Sequence, residues 1–115
     1  MEKIYKGIVQ TGPQRGTALG FPTINIALND TSVSGVYAAC VVIEEKEYFA
    51  AAFADQDRNL LEAYLLDFSG DLYAKNVEIF LEKKIREAQK FDNDDALRAA
   101  IANDVLEIRK FLAGI

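Results

Sequence analysis

Thr23 and Asn25 stand two residues apart at the end of a stretch, Gly12 to Pro22, that carries three glycines and both prolines of the chain. On an extended strand such a pair projects to one face. A hydroxyl and an amide oxygen would then sit beside a glycine-rich loop whose backbone N–H groups can approach an anion closely. Mg²⁺ takes few protein ligands and keeps waters and its substrate's phosphate oxygens, so pair and loop together suit a Mg²⁺–nucleotide site. The general phosphate-loop patterns GxxxxGK(S/T) and GxGxxG are absent. A surface loop leading into a strand therefore stands as the other reading.

The 115 residues contain no histidine. This excludes Ser-His and Cys-His dyads, histidine metal ligation and imidazole acid–base chemistry, and leaves a carboxylate as the general base. The single cysteine, Cys40, lies in the apolar run 36–43 and reads as a buried small hydrophobe, with no internal disulfide or cysteine-rich zinc site to join. The formal net charge is -5, and the one dense basic cluster, Lys83-Lys84 with Arg86, is flanked by Glu82 and Glu87. Nucleic acid is accordingly not an expected partner. No apolar run approaches membrane-spanning length and the first residues lack the apolar core of a signal peptide, so the expectation is a cytoplasmic protein with no membrane association. With half its residues apolar, the chain suits one domain over 1–115.

The elements that must position these residues follow from periodicity. Residues 3–10 are β-branched and aromatic, a strand interrupted by Gly7. Ile24, Ile26 and Leu28 alternate with polar positions over 21–28, a strand with one buried face, and Pro22 puts its start at an edge or barrel rim. The run 35–43 is nearly all apolar and reads as a strand buried on both faces or closing a barrel. Strands over 48–54, 60–68 and 77–85 follow, joined by the polar connection 44–47, the charged loop 55–59 and a turn at 69–71. Leu97, Ile101, Val105, Ile108 and Leu112 then recur at steps of three and four, one face of a helix that Asp92 or Asn93 can cap. Strands followed by one amphipathic helix argue for a β-barrel or sandwich with the helix across an open side.

Taken in order, Gly20-Phe21-Pro22-Thr23-Ile24-Asn25, Gly35-Val36-Tyr37-Ala38, Glu62-Ala63-Tyr64-Leu65-Leu66-Asp67-Phe68, Asp71-Leu72-Tyr73 and Arg86-Glu87-Ala88-Gln89-Lys90-Phe91 resemble the riboflavin kinase family. The likeness is to the stand-alone module similar to the C-terminal half of bacterial bifunctional riboflavin kinase/FAD synthetases, and it runs from Tyr5 to Leu112. It implies a mainly β fold, a six-stranded antiparallel Greek-key split barrel with a C-terminal amphipathic helix. It implies an ATP:riboflavin 5′-phosphotransferase that makes FMN and ADP and uses Mg²⁺; adenylyltransferase activity is not expected, because FAD synthesis needs a separate nucleotide-binding module that these residues do not leave room for. Its partners would be riboflavin and ATP, acting on a monomer.

The resemblance also implies roles. Thr23 and Asn25 would hold Mg²⁺ and the nucleotide phosphates, and the segment with Gly12, Arg15, Gly16 and Gly20 would arch over those phosphates. Glu62 would be the base for the ribityl 5′-hydroxyl. Arg86 and Phe91 would border the flavin, Phe91 mainly as a structural residue. Asp67 and Asp71 read as turn-flanking carboxylates, and Tyr73 as core or pocket wall. The family's Ile-Gly-x-x-Pro-Thr segment has no counterpart here: Ala52 to Leu61 stands in its place, shorter and without proline or glycine. That departure raises the alternative of a catalytically weak or inactive flavin- or nucleotide-binding module of the same fold.

Overall fold

The computed structural model describes residues 3–11, 20–68 and 70–114. Gly12, Arg15 and Gly16 lie outside the described residues, and Gly20 is described with φ 94°. The strands are β1 (Lys3–Ile8), β2 (Ile24–Ala27), β3 (Gly35–Ile43), β4 (Lys46–Asp55), β5 (Leu60–Leu65) and β6 (Asn76–Arg86), followed by helix α1 (Asp94–Ala113). All pairings are antiparallel, in the order β1-β6-β3-β4-β5-β2. The run β6-β3-β4-β5 is a Greek key, three strands joined in succession with the fourth returned beside the first. The sheet curls until its end strands meet at a seam, where the Gln10 N–H donates to the Asn25 carbonyl at 2.8 Å. The result is a nearly closed six-stranded barrel with one C-terminal helix.

Gly7 does not interrupt β1, as its sequence context suggested. It lies within the strand, and a Cβ there would meet the Ile26 Cβ at 3.0 Å, so the missing side chain lets β1 close against β2. Two register shifts of β3 against β6, at Val36/Tyr37 and Ala38/Ala39, bend the sheet as bulges do. The barrel interior is filled by Ile26, Leu28, Val41, Leu61 and Ile79, among the largest fully buried side chains.

β3 supplies two cores at once, which explains its nearly uninterrupted apolar sequence. Ala39, Val41 and Ile43 face the barrel interior, while Val36 and Ala38 face outward to Leu66, Ile108 and Leu112 beneath α1. Cys40 also faces outward and is only half-buried, between its register partners Phe49 and Phe80, so the expectation of a buried cysteine fails. β5 stops at Leu65 rather than running to 68, because the chain turns at Leu66 and Asp67 takes φ 58°.

Helix α1 begins at Asn93, whose Oδ1 accepts the Ala96 N–H at 2.8 Å, with Asp94 and Asp95 in the first turn. Two ion pairs dock it. Arg109 meets Asp67 on the surface at 3.0 and 3.1 Å. Arg86, the last residue of β6, donates from Nε and Nη2 to both oxygens of Asp104 at 2.8 Å, and Asp104 is buried. Removing one partner of such a pair strands an uncompensated buried charge. Arg86→Met is expected to destabilise the fold by about 3 kcal/mol, the order found when a buried pair is broken. Urea unfolding of the variant checks this, and an unchanged midpoint would remove the pair from the list of docking contacts.

Candidate active site

The outer face of the barrel is closed over by α1 at one end only. Toward the N-terminus of the helix, the connection 87–93 and the first turns of α1 stand off the sheet and leave a cleft of about 870 Å³. Its floor is set by strand alternation. Phe53 on β4 is the register partner of Val36 on β3 and of Glu62 on β5, and Glu62 is in turn the partner of Asn25 on β2. Val36, Phe53, Glu62 and Asn25 thus form one row across four strands, facing outward. Thr23 lies two residues before Asn25 and lines the cleft, as do Tyr64 and Asp55 on the same face. Phe21 packs edge-on against Tyr64, with ring centroids 5.4 Å apart.

Thr23 Oγ1 and Asn25 Oδ1 are both buried and, among the described residues, neither has a hydrogen-bond partner. A buried unpaired polar atom costs about 1–3 kcal/mol. Two of them two residues apart, one just before β2 and one within it, are a pair of oxygens open to a donor or a cation. Neutral oxygens at this spacing fit Mg²⁺, a hard ion that accepts oxygen ligands and completes its shell with water and phosphate. No cluster of three or more acidic, cysteine or histidine side chains suited to a metal occurs among the described residues.

Glu62 is half-buried, and burial pushes its carboxyl above the usual range. The nearby Asp55 carboxylate raises it further, and Arg58 partly offsets this. A carboxylate so placed is a stronger base than one in water. Asp55, buried at the end of β4, accepts the Arg58 N–H at 3.2 Å and Arg58 Nη1 at 3.0 Å, so the 56–59 turn is closed on its own first residue. Neither residue stood out in the sequence, where both belonged to a charged loop; Asp55 reveals itself only through burial.

Arg86 lines the cleft, but its guanidinium is committed to Asp104 and to the Glu87 carbonyl, and it lies over the Phe91 ring with 5.6 Å between Cζ and the centroid. Asp71 Oδ1 accepts the Tyr73 N–H at 2.9 Å and so serves its turn as expected, whereas the Asp67 carboxylate, though it sits in a turn, is engaged by Arg109 of the helix. Tyr73 is exposed and outside the cleft, neither core nor pocket wall.

Residues 2–112 match the family model described as Flavokinase, riboflavin kinase. The chain belongs to the riboflavin kinase family. Among curated relatives, it is 39% identical over 114 residues to the bifunctional riboflavin kinase/FMN adenylyltransferase of Escherichia coli, with 91% of this chain and 36% of that protein covered. The chain thus spans little more than a third of the length of that relative. The riboflavin kinase of Trypanosoma brucei superposes with a TM-score of 0.70 at 29% identity, over 97% of this chain and 80% of that one. A Streptococcus pneumoniae chain described as a macrolide-efflux protein superposes with a TM-score of 0.79 at 30% identity, over 92% of this chain and 38% of that longer one.

Within this riboflavin kinase fold, the raised Glu62 carboxyl has a cost. A group whose folded value lies above its unfolded value binds a proton on folding, so its stabilising contribution is present at low pH and is lost as pH rises through the folded value. As pH rises through that folded value, Glu62 ionises against the preference of its site. Glu62→Gln is therefore expected to melt at or above the parent temperature at pH 7, with the difference shrinking toward pH 4. Thermal melts across that range test the sign, and a clear loss of stability at pH 7 would contradict it.

Proposed function

We propose that this chain transfers the γ-phosphoryl group of ATP to the 5′-hydroxyl of riboflavin, giving FMN and ADP, and that these 115 residues carry no adenylyl transfer. The observation that carries the reading is the row on the outer face: two unpartnered buried oxygens, Thr23 Oγ1 and Asn25 Oδ1, beside a carboxylate held above its usual range. Family membership supplies the reaction class.

The chemistry follows from the placement. Thr23 and Asn25 would hold Mg²⁺, which on binding offsets charge on the phosphates of the nucleotide. Glu62 orients the acceptor hydroxyl and takes its proton as the oxygen bonds to the γ-phosphorus and the bond to the β-phosphate oxygen breaks. Phe53, Val36 and Phe91 offer apolar surface to a planar ring, and the roof over 87–91 limits water around the reacting groups. Arg86 serves the site by fixing that roof. Nothing among the described residues favours the inactive-module reading, since the altered 54–61 stretch is a well-tied turn with its carboxylate and cation in the cleft.

Three outcomes are expected. Incubation with riboflavin and Mg²⁺·ATP gives FMN, chromatographically resolved and dependent on the metal, whereas incubation with FMN and ATP gives no FAD. Glu62→Gln lowers the rate of FMN formation by roughly 10²–10⁴ while keeping flavin binding, and an unimpaired rate would end its assignment as base. Thr23→Val replaces an unpartnered hydroxyl by a methyl of like shape, so its stability should equal or exceed the parent's while its requirement for Mg²⁺·ATP rises. A variant that loses stability and keeps normal nucleotide use would refute the metal-ligand role.

A further inference from the structure

Arg58 projects from the four-residue turn that joins β4 to β5, and this turn is held from several sides. Asp55 accepts its backbone and guanidinium donors. Gln56 Nε2 donates to the Asp30 carbonyl at 2.7 Å and also to the Val33 carbonyl, and the Leu28 N–H donates to the Asn59 carbonyl at 2.9 Å. Arg58 is thus an exposed side chain on a fixed base, 62% exposed, at the rim of the cleft. It spends one guanidinium N–H on Asp55 among the described residues, leaving donors in a planar fork.

The register orders the cleft floor. Along β2 and β5, Ile24 pairs with Ala63, Asn25 with Glu62 and Ala27 with Leu60, while Asp55 pairs with Leu60. Thr23 therefore lies at one end, Glu62 in the middle, and Asp55 with Arg58 at the other. Each two-residue step is about 7 Å. Phosphoryl transfer needs attacking and leaving oxygens roughly in line. With phosphates at Thr23 and Asn25 and the acceptor hydroxyl at Glu62, the rest of the acceptor extends away from Thr23, toward Asp55 and Arg58.

We propose that Arg58, seated on Asp55, reads the secondary hydroxyls of the acceptor's ribityl chain, the guanidinium donating to a hydroxyl oxygen and the carboxylate accepting a hydroxyl proton. Each oxygen of Asp55 keeps a second lone pair for this. The pair is the acceptor-specificity element of the cleft, built on residues that replace the family's proline-containing segment. This rests on the kinase reading given above.

The test compares riboflavin with a flavin whose side chain is an unbranched 5-hydroxypentyl group, which keeps the primary alcohol and lacks the secondary hydroxyls. The parent should favour riboflavin by roughly tenfold or more in kcat/KM, as sites that hydrogen-bond a hydroxyl reject analogues without it. Arg58→Met, first checked by a thermal melt to be folded because it leaves the buried Asp55 without its guanidinium, should bring that ratio close to one, raising the KM for riboflavin and leaving that for ATP within about twofold; Arg58→Lys, which keeps a cation beside Asp55, should recover part of the preference. A ratio unchanged in Arg58→Met, or a change confined to the KM for ATP, overturns the proposal. If the parent forms no FMN, the kinase reading fails, and quenching of flavin fluorescence on binding decides the role of Arg58 separately. Riboflavin bound more tightly than the analogue, with the difference lost in Arg58→Met, upholds it; equal binding of the two flavins by the parent, or none, refutes it.

Discussion

The cleft exists because Arg86 and Asp104 meet. Asp104 sits in the middle of α1 on the face turned to the sheet, a position where the helical pattern asks for an apolar side chain, and it is buried. A carboxylate there must be paired, and the last residue of β6 pairs it through both oxygens. The chain between them, 87–93, has no regular structure of its own, so the two ends fix where it runs: Arg86 on Asp104 at one end and the Asn93 cap at the other. Such a pair adds little net stability over a well-packed apolar contact. It does specify one placement of the helix, since sliding α1 by a turn would leave the buried Asp104 carboxylate unpaired.

That placement divides the outer face of the barrel between packing and chemistry. Under the C-terminal half of α1, Ile108 and Leu112 seal Val36, Ala38 and Leu66. Under its N-terminal half, Leu97 and Ile101 are only half-buried and line the cleft. One helical stripe therefore changes its role along its length. Gly35 marks the border: its φ is 93°, and a Cβ there would stand 2.4 Å from the Arg86 carbonyl oxygen. The start of β3 can lie this close to the end of β6 only without a side chain. The site's unpaired oxygens and its reluctantly ionised carboxylate are costs, and the barrel interior, filled by residues with no part in the site, offsets them.

Most of the fold was legible because its patterns are clean. Alternation located β2 and the last strand, the unbroken apolar run announced a strand buried on both faces, and the spacing of Leu97 to Leu112 located α1 to within a residue or two. The misreadings have local causes. Gly7 looked like a break, yet it is a point of close approach to Ile26, which depends on a partner strand far along the chain. Cys40 looked buried because its run is apolar, but every second residue of β3 faces outward and α1 does not reach that far. Of the site, Thr23 and Asn25 were visible as a same-face pair, whereas Glu62 was one glutamate among many until resemblance singled it out. Asp55 and Arg58 were invisible, because burial of a turn carboxylate leaves no periodic trace.

The charge balance of the cleft constrains how a nucleotide can bind there. Among the described residues its carboxylates are Asp55, Asp57, Glu62 and Asp104, and its cations are Arg58, Arg86 and Lys90. Arg86 is neutralised by Asp104 and Arg58 by Asp55, which leaves Asp57 and Glu62 against Lys90. In a chain of net charge -5, the described residues of this cleft carry no surplus of positive charge to draw in a triphosphate. In the proposed kinase reading a divalent cation brings countercharge with the ligand, and the two neutral oxygens of Thr23 and Asn25 would receive it without adding a carboxylate beside the phosphates. An acidic pair at those positions would hold the metal more tightly but would repel the phosphates it accompanies. On that proposed reading, the presence of threonine and asparagine here and the lack of partners for their oxygens have one electrostatic origin.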